Sequence, residues 1–191
     1  MKLKTSGLLL LTLLLAGCWQ KSVNPFYTAK DLVAEPKLGG AWTGQKSGDN
    51  ENKMTWTFHN ATNLRHDLTI LDDQEKHEYV AHVFRLDGAR YLDLLSARPR
   101  EVSTMPVHHL FKLEEVGEKL KLAPLNTDWV QKWLAKNHGT LAHVAIEDPE
   151  QRDDRGSDEL VLTADTKALQ SFLRTHAKDE EFWAKTLNFG R

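Results

Sequence analysis

Nine histidines in a chain of 191 residues are the side chains best suited to chemistry. Three of them fall in apolar registers of alternating runs: His66 with Leu64, Leu68 and Ile70; His82 with Val80, Phe84 and Leu86; His109 with Phe111 and Leu113. Side chains two apart on a strand share a face. If these runs neighbour one another, His66, His82 and His109 converge inside a sheet. Three imidazole nitrogens with an open fourth position suit zinc and an activated water. That is the reading of a metal-dependent hydrolase. Against it, each histidine can be a hydrogen-bonded core residue, and no His-Glu-x-x-His motif is present. His108 and His109 are adjacent, so they point to opposite faces and only one of them can join an interior site.

Other catalytic constellations are poorly supported. Ser96, Ser103 and Ser157 lie in charged or proline-flanked loops, outside any Gly-x-Ser-x-Gly elbow. Asp67 and Asp93 would make an acid–base pair only if both pointed inward, and their registers predict that both face solvent. Gly39-Gly40 lacks the spacing of a phosphate loop. The run Glu147–Arg155 departs from a calcium loop, and Arg152 and Arg155 would repel the cation. A net charge of −2 gives no electrostatic case for nucleic acid. No cofactor is implied, and a non-enzymatic binding protein is expected over an enzyme.

The first eighteen residues have a different purpose. Lys2 and Lys4 precede an apolar run, then small residues, then Cys18, the single cysteine. This is the pattern of a secretory signal. The apolar stretch from Gly7 to Gly17 has 11 residues, whereas a spanning helix needs about 20. Leu15-Ala16-Gly17-Cys18 resembles the lipobox of bacterial lipoproteins. The resemblance implies cleavage after residue 17, acylation of Cys18 with palmitate-type chains, and a lipid-anchored place in the bacterial cell envelope. At about 0.8 kcal/mol per buried CH₂ such an anchor is effectively permanent. Trp19 rather than Asp follows the cysteine, which by analogy favours the outer membrane, facing the periplasm, over the inner one. The expected organisation is a signal peptide at 1–17, a lipidated tether at 18–35 with room for a docked turn at Pro25-Phe26-Tyr27, and one β-rich domain at 36–191. With Cys18 acylated the domain has no disulfide and must rely on its core.

That domain reads mostly as antiparallel strands. Met54, Trp56 and Phe58 alternate with polar residues, as do the histidine-bearing runs and Lys119–Leu122. Asp72-Asp73, Asp87-Gly88 and Val116-Gly117 supply turns, and Asp-Gly is a hairpin signal. At Asn126 the period changes. Trp129, Val130, Trp133 and Leu134 form a helical stripe, predicting an inserted helix over about 127–138. Leu141–Ile146 and Leu160–Thr163 read as further strands. C-terminal helices are expected over about 165–187, with Leu169, Phe172, Leu173 and His176 on one face and Phe182 and Trp183 beyond. The tryptophan-bearing helices are expected to be core. The fold class is α+β: about eight strands in a barrel or a strongly bent sheet, closed by helices.

Gly40-Ala41-Trp42 at the start of the first long strand resembles the lipocalin and wider calycin barrels. In that family the Trp packs across the closed bottom and the Gly allows a close approach. The chain departs from the family in its inserted helix and in lacking a disulfide. Leu38 to Trp42, Trp56 to Phe58, Ala81 to Phe84 and Pro106 to His108 also resemble a group of bacterial envelope lipoproteins that bring no established activity. Trp42, Trp56, Phe58, Phe84 and Phe111 are expected either to line a pocket for a small apolar molecule or to fill a packed core. An envelope protein is the other expected partner, beside the membrane reached through Cys18.

Overall fold

The computed structural model describes residues 19–45, 53–59, 64–72, 75–96, 105–146 and 159–191. Cys18 and the segment expected to be a signal peptide lie outside the described residues. Eleven strands occur: β1 (Lys21–Ser22), β2 (Gly40–Gln45), β3 (Lys53–Phe58), β4 (Arg65–Asp72), β5 (Glu75–Leu86), β6 (Ala89–Ser96), β7 (His108–Val116), β8 (Lys119–Pro124), β9 (His143–Ile146), β10 (Glu159–Leu162) and β11 (Leu187–Gly190). The helices are α1 (Thr127–Lys136) and α2 (Thr166–His176).

Strands β2 to β8 pair consecutively and antiparallel, and β11 fits between β8 and β2. The result is an eight-stranded closed barrel, as the alternating runs predicted. Closure removes the exposed edges that a strand-rich domain without disulfides must otherwise protect. Asp87 and Gly88 both have positive φ, 49° and 83°, which is the I′ geometry of a tight hairpin between β5 and β6. At Gly44 a Cβ atom would lie 2.6 Å from the Asn188 carbonyl oxygen and 2.7 Å from the Phe189 ring, so glycine lets β11 approach β2. Gly40 has φ +110° with open space around it. It therefore serves the turn into β2, and the close approach expected of it belongs to Gly44.

Two apolar clusters result. Inside the barrel are Leu38, Trp42, Met54, Trp56, Phe58, Leu68, Ile70, Ala81, Val83, Leu92, Leu94, Phe111, Leu113, Leu120, Leu122 and Phe189. The second lies outside it, between the outer faces of β5, β6 and β7 (Phe84, Leu86, Tyr91, Leu110) and the two helices. Asn126 caps α1 by accepting from Trp129 N, and Asp165 caps α2 by accepting from Ala168 N. The predicted stripe of α1 faces this layer through Val130 and Leu134, and α2 buries Leu169, Phe172 and Leu173. Trp129 and Trp133 pack on Phe172 and His176, half-buried at the edge of the layer.

The C-terminal segment differs from its expectation. The second helix is one 3₁₀ turn, Glu180–Phe182, and the chain then extends into β11. Residues 19–35 differ too. They form an arm docked along the barrel over more than the turn expected at Pro25-Phe26-Tyr27. β1 pairs with the start of β7 and with β10, which itself pairs with β9. Leu32 bridges to Phe84, and Val33 N donates to Val83 O at 3.0 Å, beyond the point where β4 leaves β5. The arm has no periodicity because it is held by scattered single contacts rather than by one face.

Candidate functional site

The barrel lumen is closed differently at its two ends. At one end the 3₁₀ turn Pro36–Leu38 crosses beneath the sheet. There the Trp42 indole Nε1 donates to Leu38 O at 2.8 Å, and the Arg191 guanidinium sits 4.5 Å above the Trp42 ring. Trp42 is fully buried. At the other end a residue from outside the barrel enters the lumen. The Trp19 ring meets Phe111 at 4.9 Å, His109 at 5.6 Å, Trp56 at 5.7 Å and Tyr79 at 6.3 Å, centroid to centroid. It is half-buried, whereas Trp56 and Phe111 are fully buried.

Strand parity explains this aromatic end. Trp56, Tyr79, His109 and Phe111 occupy inward positions of β3, β5 and β7. Burial holds His109 neutral by pushing its pKa from 6.5 down to about 4. The Trp56 Nε1 and His109 Nδ1 atoms are buried without a hydrogen-bond partner. His66 is likewise inward and buried with an unpartnered Nδ1, packed edge-on to Phe58 at 6.1 Å. Burial lowers its pKa also.

A polar cluster lies on the outer face of the same wall, under the arm. Asp93 is fully buried, not solvent-facing as its register predicted, because the arm and helices cover the outside of β6. Its carboxylate is joined to His108 Nδ1 at 2.6 Å and accepts from Phe26 N at 3.4 Å. His82 stands directly opposite Asp93 in the β5–β6 pairing. Its Nδ1 bonds the Tyr27 hydroxyl at 3.0 Å. Burial, then the Asp93 charge, raises Tyr27 to about 12, and burial lowers His82. At neutral pH the pair is therefore an uncharged phenol and an uncharged imidazole. Among the described residues no serine, threonine or cysteine is bonded to this cluster, and two of its members belong to the arm. Its chemistry is that of a latch that fastens the arm to the barrel.

The sequence-predicted residues divide accordingly. His66 and His109 are inside the barrel, but His82 is outside it, so the three imidazoles do not converge. Among the described residues no group of three or more His, Cys, Asp or Glu is placed to hold a metal ion. Of the His108–His109 pair, one faces in and one out, as adjacency requires. Trp42, Trp56, Phe58 and Phe111 share the lumen, whereas Phe84 lies in the outer layer against Tyr91 and Tyr27. Asp67 is exposed and paired with Arg65 at 2.6 Å. Trp19 and the Asp93 latch were missed. The available signal was the density of Trp19, Phe26 and Tyr27 in a short segment otherwise read as a tether.

A separate cleft of about 460 Å³ opens where β6 and β7 part beyond Tyr91 and Lys112, lined by Arg85, Arg90, Lys112 and Glu114 among others. Arg90 there pairs with Glu35 of the arm. Its lining is polar and does not suit an apolar molecule.

No family model, no curated protein and no solved structure matches the chain.

Proposed function

We propose that this protein is a membrane-anchored bacterial envelope lipoprotein, non-enzymatic, whose barrel binds a small apolar molecule. Anchoring rests on the lipobox ending at Cys18, and the outer membrane is favoured by Trp19. The ligand reading is supported by one observation: Trp19, a half-buried residue from outside the barrel, packs among the ring walls at the aromatic end of the lumen. Concave apolar sites with a few polar groups are the usual form of small-molecule sites, and Trp56 Nε1 and His109 Nδ1 are polar groups of that kind.

The experiment is native mass spectrometry of the full chain gently purified from membranes, with the mass of its N-terminal peptide. A neutral small molecule retained in stoichiometric amount, on a chain that begins at a triacylated Cys18, is the expected result. Bare protein in repeated preparations overturns the ligand reading, and an unacylated residue 18 overturns the anchor.

A second reading, docking of an envelope protein, is favoured by β9. Among the described residues this strand pairs only with β10, and Val144 and Ile146 are each 47 % exposed. An exposed strand edge is a template for strand addition. A constant partner crosslinked through position 144 in membranes, with no retained small molecule, replaces the first reading by the second.

A further inference from the structure

Trp19 does not belong to the barrel wall, yet it makes the contacts a guest would make. It reaches the lumen from the arm and touches Trp56, Tyr79, His109 and Phe111. Among the described residues Trp56 Nε1 and His109 Nδ1 are buried without a hydrogen-bond partner, although the Gln20 and Trp19 backbones act on the His109 ring. Buried donors without acceptors are rare and call for an explanation. Those two side chains are 0 % and 7 % exposed. They match a guest that carries a polar atom within reach of Trp56 Nε1.

Resting on the reading that the barrel takes an apolar ligand, we propose that this end of the lumen is a binding site for a neutral, planar molecule with one hydrogen-bond acceptor, and that Trp19 fills it when the ligand is absent. Planarity follows from the ring walls, which meet Trp19 in edge-on or tilted contacts. The acceptor follows from Trp56 Nε1, which can only donate. Neutrality follows because the inward residues around Trp19 are aromatic or, for His109, held uncharged by burial. A charged guest would be left unpaired there. Trp19 also adjoins Cys18, at the roughly 3.8 Å spacing of consecutive Cα atoms. The plug therefore leaves the barrel beside the anchor, and the indole has an alternative home in the membrane interface, where Trp side chains accumulate.

The test uses the full chain and two probes of similar shape, quinoline, which has a ring-nitrogen acceptor, and naphthalene, which has none. Affinities are measured for wild type, Trp19→Ala and Trp19→Phe, with circular dichroism to confirm that each is folded. Trp19→Ala should bind quinoline at least about ten-fold more tightly than wild type, with Trp19→Phe between them. Adding Trp56→Phe should abolish the preference for quinoline over naphthalene. Equal quinoline affinity in wild type and both variants overturns Trp19 as the occupant while leaving an apolar-ligand protein. No binding by any of the three overturns both readings.

Discussion

Each end of the barrel is shut by a tryptophan, and the two are shut in different ways. Trp42 is part of the wall. Its N–H is satisfied by Leu38 O, its face is covered by Arg191, and it is inaccessible to solvent. Trp19 comes from the arm, keeps part of its surface in solvent, and meets the lumen through contacts with four rings. One end is built as a floor, and the other holds a residue lent by the arm. The difference shows that a closed lumen is not evidence against a ligand, because what closes it matters.

The largest test of that contrast is truncation of the two indoles. Trp42→Ala should cost about 3–5 kcal/mol, the usual range for a buried aromatic. Trp19→Ala should cost less than about 2 kcal/mol in the same denaturant titration, since it gives up fewer buried contacts. Equal losses would make Trp19 as structural as Trp42.

The latch should come next. Asp93→Ala leaves His108 and the Phe26 amide buried without their partner, and breaking a buried pair costs about 3 kcal/mol or more. Hydrogen exchange should accelerate selectively over the arm, residues 20–33. Uniform acceleration across the barrel would place Asp93 in the core rather than in the latch.

Acid should loosen the Trp19 end before the floor. His109 is neutral in the folded state with its pKa lowered to about 4, against 6.5 when unfolded. The unfolded chain thus binds the extra proton between these values. The stabilisation is fully present above pH 6.5 and declines as pH falls toward 4, by up to about 3 kcal/mol. His109→Phe should flatten that part of the stability–pH curve, and an unaltered slope would assign it to other groups. The smallest effect should be at the floor's outer cover. Arg191→Ala removes an exposed cation–π contact and hydrogen bonds to Lys37 O and Gly39 O, worth about 1 kcal/mol together. A loss as large as that of Trp42→Ala would show that the floor depends on its cover.

The sequence made the lumen side of the fold readable, and the outer side much less so. In β3 and β4 alternation is clean because one face meets the core and the other meets water. In β6, Tyr91, Leu92, Asp93 and Leu94 are all buried. Helices and arm cover the outer face there, so period two no longer separates inside from outside. That is why His82 and Phe84 were expected in the lumen and Asp93 in solvent. The helices α1 and α2 were legible from their stripes and capping residues. β11 was not, since Leu187-Asn188-Phe189-Gly190 is too short to show a period and is specified by its neighbours at Gly44 and Leu122.

β11 also bears on how the molecule forms. It is inserted between β2 and β8, so the barrel cannot close until residues some 140 positions after β2 have arrived. Until then β2 and β8 present unpaired edges, and joining them requires closure of a long loop, which slows folding. Such an open sheet is prone to edge-to-edge association. A chain that seals itself with its most distant strand therefore spends its riskiest interval late, when most of its β-structure already exists and lacks only one partner.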